Sequence, residues 1–470
     1  MKVTQVAICP TEGSTAAGRP ALTPELLAAT GARYSRNNEG LVSILSKIDP
    51  SNLDKSVESI FRMVDYGHQS IADMVPVAMF IDEISMWLAY YIWTLCPTAG
   101  GQESSTRYIK ISFDGLIAPE NLGIQSRDVV EWRALMEECF QAYQTALRMW
   151  ENLALENPAL LGIPRALLED QSEGAQRKVA RLTRNYAFDR SRYFLPVSAA
   201  TNVMLVMSAR GWVNLCQHLL SHQLAECRSL GELIRSELEI CAPRMIKYAT
   251  ITESHKAMIN AEFQKLVQAA QSVPGELADS LQSKEAAAIA HLSVALPDGI
   301  TDDDLAKDLK YHSSRYAPMG SNLQRTAVRF GWSRIAFAEI RDLNRHRTGS
   351  KFCPQIPLGF YFAADQLPSG TDNEEAMLKM QASVGLKATK KAQALLKNGD
   401  ATNLYWTVLG TEYPFEHTST ADKFIYEAEL RTGIGAHYRY AKHLRDVLFL
   451  WYQRFPLTKG LVLEGSAEPE

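Results

Sequence analysis

The chain of 470 residues has no uninterrupted apolar run of the ~20 residues that a membrane-spanning helix needs. Its opening stretch, MKVTQVAICPTEGS, lacks the apolar core of a secretory leader. It also has no CxxC pair. Its seven cysteines (9, 96, 139, 216, 227, 241 and 353) are scattered and odd in number, which argues against a disulfide framework or a zinc ribbon and for reduced thiols in a cytoplasm. Basic charge is not in surplus either. The 49 Lys and Arg face 53 Asp and Glu, a net charge of −4, so bulk electrostatics recruits neither a nucleic-acid backbone nor an anionic membrane. Function must rest on local clusters. What is present is an ordinary globular composition, 46% hydrophobic and 22% charged, in a chain long enough for two or three domains.

Leu53, Val57, Ile60, Phe61 and Val64 recur at helical spacing, and Gly67 follows as a stop. VPVAMFIDE (75–83) reads as a strand near a sheet edge, because Pro76 cannot donate to a ladder. Ile84, Trp87, Leu88, Tyr91, Ile92 and Leu95 lay an apolar stripe on a helix that stops at Pro97. Longer helices are expected around 131–150 and 202–234, with a helical connector over 251–292. Then the order repeats. QRTAVRF (324–330) reads as a strand that Gly331 breaks, and Ser333 caps a helix carrying Ile335, Ala336, Ile340 and Leu343. Leu95 and Arg345 hold the same place in the two series, and 345 − 95 = 250. The segments RGWVNLCQHLLSHQLAE and DKFIYEAELRTGIGAHYRYAK (422–442) also correspond, which gives two diverged copies of a unit of roughly 200 residues. The expected ranges are 1–250 for the first copy, 251–292 for the connector, 293–461 for the second copy and 462–470 for a frayed tail.

Three polar groupings stand out. LNRHRTGS (343–350) sets Arg345, His346 and Arg347 where a helical pattern runs out. Cations there are favourable by ~0.3–1 kcal/mol against the helix dipole alone. Guanidinium forks also match phosphate or carbonyl oxygens, so an anion site is the competing reading. QESSTRY (102–108) offers Glu103, Ser105 and Arg107 in a stretch that equally suits a turn. His218 and His222 stand at i, i+4, but no Glu lies between them and no third ligand is evident, so no metal is expected.

Taken in order, these segments resemble the flavin-dependent thymidylate synthases. That family carries RHRxxSxNExSxRY after a helix, a G-H-x-S/T segment upstream, and an AR..LP…NAR…N…LR series downstream. The first copy has GHQS (67–70), QESSTRY (102–108), SRYFLP (191–196) and SAR…N (208–214), but Leu95, Cys96 and Pro97 stand at its RHR position. The second copy has RHRTGS (345–350) and EAELR ending at Arg431, with FCPQIPL in place of the NExSxRY end; the first copy has Leu219 where Arg431 stands. Family sites lie between subunits, and each copy has kept the side that the other lost. The resemblance therefore implies a fused pseudo-dimer whose homodimer imitates a tetramer.

The fold it implies is α+β: two tandem thymidylate-synthase-like copies, each an antiparallel sheet flanked by long helices. The implied reaction is reductive C5-methylation of dUMP, with methylenetetrahydrofolate as carbon donor, NADPH as reductant and FAD as relay. Residue by residue, Arg345, His346, Arg347, Ser70, Arg210 and Asn214 match FAD-holding positions, with His346 charged against a reduced flavin. Glu103, Ser105, Arg107, Asp342 and Arg192 match the nucleotide side, and Arg431 matches the cation that polarises the pyrimidine. Glu103 is left open between ribose and flavin, Arg192 between nucleotide and a surface or core ion pair, and Arg431 between catalysis and a helix surface. Asp342 stands where the family has Gln or Glu, Ser208 where it has Asn, and Gly100 and Gln102 also depart. Two alternatives follow: a flavoenzyme acting on another pyrimidine nucleotide or nucleoside, and a non-catalytic flavin- or nucleotide-binding protein.

Overall fold

The computed structural model describes residues 1–6, 24–36, 38, 41–49, 52–65, 69–107, 111–273, 288–433 and 436–466. They form two compact units. One comprises Met1–Ile111, Gly115–Ser126 and Ser198–Gln264; the other comprises Ser112–Asp114, Arg127–Val197 and Lys265–Glu470. The segment 127–197, expected with the first copy, thus packs in the second unit.

In the first unit, β1 (Lys2–Val6), β2 (Pro76–Ser85), β3 (Gly100–Glu103) and β4 (Ala200–Ser208) form an antiparallel sheet in the order β1-β2-β4-β3. Val77, Met79 and Ile81 point inward and are buried, whereas Phe80 is exposed, the alternation of a sheet with one covered face. β2 is a central strand, not an edge. Pro76 is tolerated as its first residue, outside the pairing with β1 seen among the described residues, which reaches Ala78. The helix Met86–Leu95 follows directly, with Ser85 Oγ accepting the Leu88 N–H at 2.9 Å. Its sequence is apolar on nearly all sides and it is buried accordingly.

The second unit repeats this plan. β5 (Ala290–Ala295), β6 (Ala327–Ala336), β7 (Ser350–Phe352) and β9 (Thr411–Thr420) run in the order β5-β6-β9-β7, and β8 (Gly359–Phe360) pairs with the start of β9. β2 and β6 carry a register shift at the same place, between Ile81 and Ile84 and between Trp332 and Ile335. Each then enters a helix, at Met86 and Phe337, so that 337 − 86 = 251. β4 and β9 enter helices at Ala209 and Ala421, so that 421 − 209 = 212. The expected offset of 250 recurs at the next strands, where Gly100 faces Val206 and Ser350 faces Thr418.

Three local expectations are corrected. The stretch 202–234 is not one helix: β4 occupies its start, and Ser208 caps the helix Ala209–Leu220 through Gly211 N–H before Ala225–Cys241 begins. Gly331 does not break β6, which runs on to Ala336. A Cβ there would lie 2.2 Å from the Phe415 carbonyl oxygen, so the glycine permits close strand approach. Ser333 caps no helix; its Oγ accepts the Ile289 N–H at 3.0 Å across to the neighbouring strand end. The tail is tied down as far as Ser466, through Leu463 N–H on Glu429, Gly465 N–H on Thr432 and Arg315 on the Ser466 carbonyl. Gly67, His68 and Tyr108 lie outside the described residues.

Candidate active site

The helix Phe337–Asn344 buries Phe337, Ile340 and Leu343 and ends at Arg345, so the RHR cluster does sit at a helix C-terminus. Asp342, in its last turn, accepts Arg192 Nη2 at 3.0 Å. Arg192 follows the helix Glu173–Ser191, is 5% exposed, and its Nε has no acceptor among the described residues. Arg431, in the last turn of Ala421–Thr432, donates Nη2 to the Asp342 carbonyl at 2.9 Å and Nε to His346 Nε2 at 2.6 Å. The second unit alone therefore gathers Arg192, Asp342, Arg345, His346 and Arg431. Arg347 projects from the same turn and is exposed.

Electrostatics follows from this crowding. Burial by itself would raise the Asp342 carboxyl, but Arg192, Arg345 and Arg431 outweigh it and hold it well below the usual carboxylate range. The expectation of a charged His346 is not met. An N–H donated to its Nε2 requires that nitrogen to be unprotonated, and burial, with Arg431 alongside, pulls the imidazole down to about 3. The positive charge here belongs to the arginines.

Behind His346 lies a buried ionic layer that sequence reading missed. Lys351 Nζ donates to the His346 carbonyl, and burial lowers its pKa. Both ring nitrogens of His417 face oxygens, Thr348 O at 2.6 Å and Glu427 Oε2 at 2.9 Å. Burial opposes ionisation of Glu427, yet His346, His417 and Lys351 around it hold its carboxyl low. On the other side, Tyr193 donates to Glu339 Oε1 at 2.8 Å, and Arg439 lies 3.6 Å from Glu339 and 3.5 Å from Glu412. The available signal was ionisable residues on apolar faces. His417 shares the inward parity of Tyr413 and Phe415, and Glu427 falls on the stripe of Phe424, Ile425 and Ala428.

The two offsets allow a direct comparison of the copies. By the offset of 251, Glu339 and Asp342 correspond to Leu88 and Tyr91, and by the offset of 250 that follows the helix, His346 corresponds to Cys96. By the offset of 212, His417, Glu427 and Arg431 correspond to Leu205, Leu215 and Leu219. An entire ionic cluster in the second unit thus falls at positions that are mostly leucine in the first. Buried charge is costly and apolar packing is the default, so the ionic version is the one that needs a functional explanation.

The other candidates lie in the first unit. Arg210 Nη1 is 2.9 Å from Asp73 Oδ2, and Ser208 Oγ reaches the same carboxylate at 3.4 Å. Ser70 opens the short helix that ends at Asp73, and Asn214 follows Arg210 by one helical turn; both are exposed. Glu103 ends β3 opposite Val203, and Arg107 N–H approaches Ser105 Oγ at 3.4 Å, the turn arrangement. His218 and His222 are engaged locally, by Tyr91 OH at 2.6 Å from His218 Nε2 and by Leu224 N–H on His222 Nδ1. Burial pulls them down to about 4 and about 3.

Residues 21–244 match the family described as thymidylate synthase complementing protein. That stretch is similar to the family. The thymidylate synthase complementing match spans Ser70, Glu103, Ser105, Arg107, Arg192, Arg210 and Asn214, and ends before the ionic cluster around His346. A UPF0159 protein of Thermoplasma acidophilum is 25% identical over 232 residues, 46% of each chain. The chain thus spans about half the length of that relative. A UPF0159 protein of Chlamydia pneumoniae is 24% identical over 378 residues, 69% of each chain. Among solved structures, a UMP/dUMP methylase from Streptomyces cacaoi bound with 5-bromo-dUMP aligns at 13% identity and a TM-score of 0.31, covering 53% of this chain and 93% of that one. Among the described residues no helix is long and apolar enough to cross a membrane.

Proposed function

We propose that this protein is a flavin-dependent, thymidylate-synthase-like enzyme that methylates C5 of dUMP, taking its carbon from methylenetetrahydrofolate and its reducing equivalents from NADPH. The observation that carries this reading is the meeting of Arg192, Asp342, His346 and Arg431 at one helix end, in a chain whose first half is similar to the thymidylate synthase complementing family.

The donor set fits FAD and a nucleotide. Arg345 lies near Asp342, Arg347 is an exposed guanidinium in the same turn, and Arg192 Nε is a buried donor with no acceptor among the described residues. Arg345, Arg347, Ser70, Arg210 and Asn214 would hold FAD, which when bound supplies the reducing chemistry. Arg107, with Ser105 and Glu103, would grip the nucleotide. Arg431 is fixed at two points, so its charge is preorganised where negative charge develops on the pyrimidine, a term worth about 3 kcal/mol per donor. Neutral His346 holds Arg431 in place instead of supplying charge itself. On this reading the ancestral copies span 1–250 and 293–461, and the working assembly is a homodimer that imitates a tetramer.

The decisive experiment uses purified protein. It should be yellow, should bleach with NADPH without oxygen, and should form dTMP from dUMP and methylenetetrahydrofolate. Arg347→Ala should lower flavin occupancy, whereas Arg107→Ala should weaken nucleotide binding with flavin retained. Protein that binds no added FAD would end the proposal. A second reading has one observation in its favour: Asp342 already occupies Arg192, which removes a cation from nucleotide binding and suits a different pyrimidine nucleotide or a nucleoside. Flavin reduction without dTMP formation would select it.

A further inference from the structure

The second unit contains an unbroken series of hydroxyl and carboxyl groups leading away from the site. Tyr193 OH donates to Glu339 Oε1 at 2.8 Å, and Tyr438 OH donates to Tyr193 OH at 3.4 Å. Tyr361 OH lies 3.1 Å from Tyr438 OH and 2.7 Å from Asp365 Oδ1. Glu339, Tyr193 and Tyr361 are buried, Tyr438 is half-buried and Asp365 is exposed. The inner end, Glu339, is one helical turn from Asp342, so the two carboxylates share a face of the helix Phe337–Asn344.

Counting protons makes this series unusual. Five groups joined by four hydrogen bonds need four protons, and three phenols supply only three. With both carboxylates ionised, Tyr361 must choose between Asp365 and Tyr438, and one buried link goes unmade. Every group keeps a partner in that state, but the 3.1 Å contact between Tyr361 and Tyr438 then carries no proton. A fourth proton completes that link, and it can sit at either end. On Glu339, all the O–H bonds point outward; on Asp365, all point inward.

The neighbouring groups do not compete for this proton. Arg439 lies 3.6 Å from Glu339 and 3.5 Å from Glu412, Arg334 lies 3.8 Å from Glu412, and Arg192 is taken by Asp342. Arg190 stacks over the Tyr438 ring. His437 also stacks on Tyr438, but its Nε2 faces the Asp189 carbonyl and its Nδ1 accepts the Arg439 N–H, which fixes a neutral tautomer. Burial raises the Glu339 carboxyl to about 7 against the pull of Arg439 and Arg192. The sister copy shows what the fold alone requires. It has Leu88 in place of Glu339 and caps the equivalent helix with Ser85 instead.

We propose that Glu339, Tyr193, Tyr438, Tyr361 and Asp365 form a proton path that carries one proton between the site beside Asp342 and the surface. In one passage the proton on Glu339 moves to Tyr193, that of Tyr193 to Tyr438, that of Tyr438 to Tyr361, and that of Tyr361 to Asp365. Four O–H bonds break, four form, each phenol keeps one proton, and no electrons move. The use of the proton rests on the proposed function, since methylation at C5 displaces a ring hydrogen that must leave the site as a proton. The path itself does not depend on it.

The test needs no substrate. Infrared difference spectra after a rapid pH jump follow the protonated carboxyl of Glu339, identified by its disappearance in Glu339→Gln. Tyr361→Phe and Asp365→Asn should each slow its response about 100-fold, the lower range of what a positioned proton-transfer group contributes. Its final titration midpoint should stay in place, as a merely structural role would not produce this split. Asp365 is at the exposed end, so its variant remains informative if Tyr361→Phe fails to fold. Wild-type response rates in both variants, or no carboxyl band assignable to Glu339 near neutral pH, would overturn the path. Either result is independent of whether the protein binds flavin or forms dTMP.

Discussion

At the scale of single residues, the site is organised by who neutralises whom. Arg431 points one nitrogen at His346 and another at the Asp342 carbonyl, so neither partner is free to change state alone. Arg431→Gln should let His346 titrate higher, toward the ordinary imidazole value of about 6.5, because a nearby cation is removed while burial stays. NMR titration of the imidazole reads this directly, and an unchanged midpoint would mean that burial alone keeps His346 neutral. Activity should fall about 100-fold in the same variant, the loss typical of one preorganised donor. Asp342→Asn removes the partner of a nearly buried guanidinium, a change that costs about 3 kcal/mol. An added nucleotide should restore more stability to this variant than to the parent, measured as the shift in melting temperature. Equal shifts would show that Arg192 never meets the ligand.

At the scale of elements, the strand–helix order at the start of both copies was legible because alternation and helical stripes are local signals, as in β2 and the helix Met86–Leu95, whereas the later strands β3, β4, β7 and β9 were not. The RHR cluster was legible as a helix end for the same reason. The place of Arg192 was not, since nothing near it in sequence tells that the stretch 127–197 packs in the second unit, where Asp342 waits. Gly331 and Ser333 misled because turn-prone residues also serve strand interiors, one by admitting the Phe415 carbonyl and the other by binding across to Ile289. The helix Ala421–Thr432 carries a further test. Its Glu429 accepts from Leu463 N–H at 2.7 Å and lies 2.8 Å from His312 Nε2, with both side chains fully buried. Glu429→Ala should lower stability by about 3 kcal/mol in urea unfolding, the cost of breaking a buried pair, and should open the chain after Val462 to protease. Loss of stability without new cleavage there would separate the pair from the tail.

At the scale of the whole molecule, buried imidazoles set the response to acid. His218, His222 and His346 stay unprotonated in the fold down to about 4, 3 and 3, and burial lowers His443 also. Unfolded, each takes up a proton near 6.5, so the stability they contribute is complete above that value and is lost as pH falls toward 4 and 3. Glu339 works oppositely: its contribution is complete below about 4.5 and is lost as pH rises through about 7. Between these limits the imidazoles outnumber the carboxyl, so urea midpoints should fall steadily from pH 7 to pH 5, and more steeply in Glu339→Gln. A flat profile would contradict the neutral imidazoles. Chain connectivity has a consequence of another kind. The chain leaves the first unit after Ser126 and returns at Ser198, yet Trp132 binds the carbonyl of Tyr405 and Pro196 pairs with Val408. On the ribosome, the first sheet can therefore close long before the helices Val129–Glu156 and Glu173–Ser191 meet their partners. Until translation passes residue 408 those helices are unfinished business, and the nascent chain is a natural client for chaperones that shield apolar helix faces.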